Sequence, residues 1–284
     1  MSEAIAPTEP LTPAKVFAAE DKLLSLPQVK MPVKHYFGGG VYIRELHIPA
    51  GTFVVGHHHR FADFNSLVKG SMTLLMEDGS TKEVSAPLTF LGSPGRKVAF
   101  AHEDSVWQNI FSTCETDVGK LEEALFIKSD AFKEKREIIK RLERAKTGLI
   151  RDDYAEAIKE LGFTEEQAKS ISENRSDQME MPAGTWSFVI TESPIHGQGV
   201  FATADFKPGD IIGPARIGTM RTPLGRYTNH SPSPNAKLEE FEEGLNLVAT
   251  KEISGYSGGI EGDEITIDYR EAAAVTINLN RRLS

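Results

Sequence analysis

Arg226–Ala236 reads RYTNHSPSPNA, and Gly262–Arg270 reads GDEITIDYR. The first stretch is dense in Asn, His, Ser and Pro and has neither a helical nor a strand period. It is therefore a polar turn between ordered elements. In the second, Ile265 and Ile267 alternate with polar residues, which predicts a short strand closing on Asp268-Tyr269. Upstream, Ser193–Ile212 (SPIHGQGVFATADFKPGDII) interleaves apolar runs with Gly and Pro and reads as hairpin-rich β structure.

Taken in this order, the three stretches resemble the SET domain, the lysine methyltransferase fold, over residues 183 to 271. That family has a Gly-x-Gly turn, then Asn-His-Ser followed by Pro-Asn, then a Gly-Glu-Glu-type strand ending in Asp-Tyr. The resemblance implies S-adenosylmethionine as methyl donor and a protein substrate with an accessible lysine. It makes Tyr269 the catalytic tyrosine that orients the target amine. It assigns cofactor contacts to Gly197, Gln198, Gly199, Asn229 and His230. Arg226 and Tyr227 would build the knot-like crossing that forms the site. One departure stands out. Only GPARIGTMRTPLG separates Ile212 from Arg226, where the family places a longer insert that walls the lysine channel.

Composition bounds the rest. The chain has 284 residues, 39% apolar and 26% charged, which suits about two globular domains. No apolar run approaches the ~20 residues of a membrane span. The N-terminus lacks a signal-peptide pattern and is rich in Pro, Ala, Thr and Glu, so residues 1–30 are expected to be a flexible segment. A net charge of −9 argues against nucleic acid as a partner, because phosphate binding needs Lys and Arg. The one cysteine, Cys114, excludes an internal disulfide and suits a reducing cytoplasm.

Residues 31–115 read as all-β. Turn signals at FGGG (37–40), PAG (49–51), MEDGS (76–80) and SPG (93–95) space strands such as VYIRELHI and SMTLLM, as in a barrel or sandwich. Residues 116–181 read as a helical connector with one buried face. Ser129 caps a helix carrying Phe132, Ile138, Ile139, Leu142 and Ala145, and Gly148 is the expected stop. Thr164–Gln167 is a capping-box pattern. Residues 182–271 hold the SET-like unit, and 272–284 carry no strong signal. The fold class expected is mainly β: a barrel, a helical connector and a minimal SET β-fold.

Three histidines are consecutive, His57, His58 and His59, and Asp63 follows. On a strand His57 and His59 share a face while His58 points away. The spacing from Gly51 through His57, His59 and Asp63 to Gly70 resembles the first motif of the cupin family, small β-barrels that often hold a divalent metal. The resemblance implies His57, His59 and Asp63 as ligands, with His102 the candidate from the second motif. It also implies homodimers through the barrel. HEDSVWQNIF, His102–Phe111, further resembles bacteriophage cupin-like proteins, which would put the chain in a host cytoplasm or a virion. Three functions follow: a methyltransferase carrying a cupin module, a phage structural or assembly protein, and metal-dependent oxygenase or isomerase chemistry.

Overall fold

Alternation of inward and outward side chains organises the first half of the molecule. The computed structural model describes residues 11–76, 78–147, 153–242 and 244–283. Helices α1 (Pro13–Ala18) and α2 (Glu20–Ser25) come first. Ten strands follow: β1 (Val33–Gly38), β2 (Val41–Ile48), β3 (Phe53–Val55), β4 (His58–His59), β5 (Asp63–Lys69), β6 (Ser71–Leu75), β7 (Thr81–Ser85), β8 (Leu88–Gly92), β9 (Val98–Ala101) and β10 (Ser105–Ser112). The helical stretch holds α3 (Val118–Leu125), β11 (Phe126–Ile127), α4 (Asp130–Thr147), α5 (Tyr154–Glu160) and α6 (Glu165–Glu173). The last part runs β12 (Gly184–Trp186), β13 (Phe188–Glu192), β14 (Gln198–Ala202), β15 (Ile211–Ile217), β16 (Met220–Arg221), α7 (Pro223–Tyr227), β17 (Asn229–His230), β18 (Ala236–Phe241), β19 (Gly244–Ala249), β20 (Glu264–Ile267) and α8 (Tyr269–Leu283).

The first half is two facing sheets, ordered β12-β1-β2-β10-β5-β8 and β3-β9-β6-β7. Ile48, Leu67, Met72, Val84 and Ala101 from both sheets pack between them. Among the described residues no strand ladder joins the two sheets, which pack face to face as a sandwich of the mainly β class expected. The expected boundary at 182 is also displaced. β12 lies beyond it yet pairs with β1, Trp186 opposite His35. Val33, Phe37 and Tyr42 share a core with Val189, Phe201 and Tyr256 from the last part of the chain. The two halves are therefore joined by a continuous apolar core, and the connector folds around it.

That second half has its own core of Val200, Ala202, Ile212, Leu224, Leu247, Ile265 and Ile267 between sheets β13-β14-β20-β17 and β16-β15-β19-β18. Its unusual feature is β17, which runs parallel to β20 with Asn229 opposite Thr266 and His230 opposite Ile267. Parallel neighbours need a long crossover. Here the crossover is the β18–β19 hairpin and the loop after it.

Three expectations about the ends and the connector need correction. Residues 13–25 are helical, because Thr12 caps Lys15 N and Pro13 takes the first helical position. Arg96 then ties this segment to the sandwich through Glu20 at 2.7 and 2.9 Å and covers Phe17 at 4.4 Å. The segment after Arg270 is helix α8, with Asp268 accepting from Arg270 N at 2.9 Å and Leu279 buried. Helix α4 does start under a Ser129 cap, but its apolar stripe is split. Phe132 is buried while Ile138 and Leu142 are exposed. Gly148, its expected stop, lies outside the described residues. The capping box at Thr164 and Gln167 is formed.

Candidate functional site

The polar turn, the glycine turn and the Asp-Tyr strand converge on Asn229. Its Nδ2 donates within reach of Glu264 Oε1 (2.7 Å), Ser193 Oγ (3.1 Å), Gln198 O (3.1 Å) and His196 O (3.2 Å). Ser193 Oγ also donates to both Glu264 oxygens at 2.8 Å. Burial holds the Glu264 carboxyl above its usual range, and the donors from Asn229 and Ser193 oppose that shift. Sequence reading passed over Glu264 and Ser193. The only available signal was their position, one on the Asp-Tyr strand and one at the start of the glycine turn.

This node also explains the glycines. Gly197 sits at φ +53°, a left-handed turn with open space where a Cβ would stand. Gly199 is different: a Cβ there would lie 2.2 Å from Glu264 Oε1 and 2.9 Å from Ser193 Cβ. Glycine at 199 therefore makes room for the carboxylate that holds Asn229. Gly199→Ala should lose about 1–3 kcal/mol of stability, read as a lower urea midpoint at unchanged slope. Glu264→Ala in the same chain should recover part of that loss.

His230 turns its ring toward Tyr269. Its Nδ1 accepts from Tyr269 N at 3.2 Å, and its Nε2 lies 2.8 Å from Asp153 Oδ1. Both ring nitrogens are thus engaged inside the protein, as is the Asn229 amide nitrogen. The Tyr269 hydroxyl donates to Thr228 O at 3.3 Å. Burial pushes that hydroxyl up to about 12, with Tyr154 and Glu264 adding to it. The phenol is therefore neutral at physiological pH and acts as a hydrogen-bonding group, not as a base.

Helix α5 closes over this tyrosine. The Tyr154 ring meets Tyr269 edge-on at 6.1 Å and lies 6.5 Å from His230. Asp153 bridges His230 and Arg270 (2.9 Å), and Arg270 also pairs with Glu160. The helical connector thus packs against the end of the Asp-Tyr strand. Neither Asp153 nor Tyr154 was marked by any motif, since their role depends on a fold-back across 77 to 117 residues of sequence.

The remaining residues of the expected donor site face a cleft of about 790 Å³, within the usual range for small-molecule sites. Gln198, Arg226 and Tyr227 line it together with Trp186, Phe188 and Ile190. Arg226 spends Nη1 on Gln178 Oε1 at 2.8 Å and lies 5.3 Å from the Tyr227 ring. Its other donors suit a carboxylate, and the aromatic walls suit a flat ring.

The sandwich holds a second, smaller cavity of about 90 Å³. His57 and His59 line it and His58 is exposed, as the alternation requires. The expected ligand set does not assemble, however. Asp63 Oδ1 accepts from His59 Nδ1 at 2.8 Å and Asp63 Oδ2 from Asn109 Nδ2 at 3.1 Å, so the carboxylate orients the imidazole. His102 sits on the exterior against Thr73 Oγ1 at 2.7 Å. Burial pushes His57 down to about 3, with Lys128, Arg44 and Arg96 acting in the same direction, and its ring packs edge-on against Phe132 at 4.7 Å. Among the described residues no three His, Cys, Asp or Glu side chains converge as a metal centre needs. Arg44 also lines the cavity and repels a cation. These residues do not fit a divalent metal.

No protein-family model matches the chain, and no curated protein matches it. Solved structures do show similarity over part of it. KdgF from Halomonas sp. is 19% identical over 31% of this chain and 84% of its own, with a TM-score of 0.27. An acetylacetone dioxygenase from Acinetobacter johnsonii is 16% identical over 39% of this chain and 74% of its own, with a TM-score of 0.26. An RmlC-like cupin with a double-stranded β-helix fold from Methanocaldococcus jannaschii is 18% identical over 33% of this chain and 88% of its own, also at 0.26.

Proposed function

We propose that this chain is an S-adenosylmethionine-dependent protein-lysine methyltransferase whose site is built by the second half. One observation carries the reading. Motifs about 30 to 70 residues apart in sequence meet in one network, with Asn229 bonded to Gln198 O and Glu264 and His230 bonded to Tyr269 N. Gln198, Arg226 and Tyr227 would hold the donor on the cleft, and the Gly197–Gly199 turn would present backbone to it. When bound, S-adenosylmethionine supplies a methyl group activated on a sulfonium sulfur. The chain's own task is positioning and desolvation. A lysine amine is protonated at neutral pH, near its ordinary ~10.4. Partial burial beside the Tyr269 hydroxyl would disfavour the ammonium form and favour loss of its proton to solvent. The neutral Tyr269 hydroxyl then aligns the amine lone pair.

The test is incubation of the full chain with S-adenosylmethionine and a lysine-peptide library, read by mass spectrometry for added methyl groups. Methylated lysines support the reading. Their absence under conditions where S-adenosylmethionine demonstrably binds would contradict it.

A homodimer through the sandwich belongs to the same reading. On the outer face of the larger sheet, Tyr36, Ile43, Ile110, Phe64 and Leu91 stand opposite one another on five adjacent strands. Phe64 and Leu91 are 53% and 64% exposed, the kind of apolar row that marks an interface. Phe64→Glu should convert a dimer to a monomer by light scattering, with the chain still unfolding cooperatively and its Tm no longer dependent on protein concentration. A wild-type chain that is already monomeric would remove this part of the proposal.

A further inference from the structure

The cavity beside His57 and His59 is also lined by a different set of polar residues. Arg44, Asn109 and Asn65 stand directly opposite one another on β2, β10 and β5, as one polar row on the inner face of the sheet. The next row in the same direction is Leu46, Trp107 and Leu67. All three polar residues line the 90 Å³ cavity, and Leu46, Ile48, Met72 and Leu74 give it apolar walls.

Arg44 is 9% exposed, yet its Nε has no hydrogen-bond partner. Among the described residues, its nearest carboxylate is Glu122, with Nε to Oε1 at 3.9 Å, beyond hydrogen-bond reach. Glu122 is itself committed to Lys128 at 2.7 Å. The guanidinium also lies 5.5 Å from the Phe126 ring centre. A buried guanidinium N–H without a hydrogen bond is costly, and a carboxylate would relieve it with a charge-assisted bond. The other carboxylate nearby, Asp63, has both oxygens engaged by His59 and Asn109. Asn65 and Asn109 are tied to each other at 3.0 Å, so the row is held rigid.

We infer that the sandwich cavity is a binding site for a short-chain monocarboxylate, with its carboxylate on Arg44 and its alkyl part against Leu46, Met72 and Leu74. The volume limits the ligand to a few carbons, since a ~150 Å³ cavity already accommodates benzene. The site is independent of the methyl-donor cleft, so either can exist without the other.

Isothermal titration of the full chain with butyrate, butyramide and inorganic phosphate tests this. Butyrate should bind with one-to-one stoichiometry and change the fluorescence of Trp107, which lines the cavity. Butyramide, with the same shape and no charge, should bind at least about tenfold more weakly, in keeping with a charged hydrogen bond. Phosphate should not compete, because it lacks the apolar part. Arg44→Met, which keeps an unbranched apolar stem and removes the charge, should abolish the difference between butyrate and butyramide. Equal binding of butyrate and butyramide to the wild-type chain, or no binding of either, would overturn the inference without any variant having to fold. So would saturable Mn²⁺ or Zn²⁺ binding that His59→Ala removes.

Discussion

Tyr269→Phe should lower methyl transfer by about a hundredfold or more, the size of loss that misplacing a reacting group produces. S-adenosylmethionine affinity should stay within a few-fold of wild type. The physical reason is the hydroxyl alone. The ring would still pack against Tyr154 and His230, and Tyr269 N would still donate to His230 Nδ1. The loss should appear in kcat with KM for the donor nearly unchanged. The pH profile is a further check. With the phenol held at about 12 by burial, no limb of the wild-type profile below pH 9 should belong to Tyr269. A limb near the ordinary phenol range that vanishes in Tyr269→Phe would show the hydroxyl acting as a base and would sink the positioning role.

The second large effect concerns folding. Asn229→Ala should destabilise the protein by about 1–3 kcal/mol at pH 7, because it removes a donor from a largely buried carboxylate. The pH dependence has a definite sign. The Glu264 carboxyl is raised above its ordinary value in the folded chain. The folded state therefore holds its proton more tightly than the unfolded chain. Stability from this group is greatest below the unfolded value and falls as pH rises through the folded one. Asn229→Ala removes an interaction that lowers that value, so the window should widen upward. The deficit relative to wild type should shrink as pH falls through the raised folded value of Glu264 and the carboxyl takes up its proton. Urea unfolding of both chains across pH 5 to 8 reads this directly. A deficit that does not change with pH would mean that the Asn229–Glu264 contact is not what is lost.

How far the sequence alone reached depends on the range of the interaction. Strands β2, β6 and β10 were legible because side-chain alternation is local. The Ser129 cap and the Thr164–Gln167 box were legible for the same reason. The helix opening at Pro13 was hidden by a Pro-rich composition that otherwise signals disorder, and its anchor Arg96 is 76 residues from Glu20. The β12–β1 pairing and the joint core around Tyr42 and Tyr256 are long-range contacts with no local period. In the site, the rare Asn-His-Ser turn and the Asp-Tyr strand marked the place. What they could not mark was Glu264 behind Asn229, or Asp153 and Tyr154 arriving from α5. The histidine triplet illustrates the opposite error. Its spacing matched a ligand pattern, and its alternation was right, but Asp63 faces His59 Nδ1 and His102 stands outside. Spacing gives the face of a strand; it does not give the direction of a carboxylate at the strand's end.

Binding of a methyl donor by the second half of the chain is the step on which methyl transfer depends. Calorimetric titration of the full-length protein with S-adenosylmethionine tests that most directly. Saturable one-site binding is expected, weakened about tenfold or more by Arg226→Ala through loss of a charge-assisted carboxylate contact, and untouched by Arg44→Met in the sandwich. No heat and no saturation up to millimolar donor, from a chain that unfolds cooperatively, would contradict it.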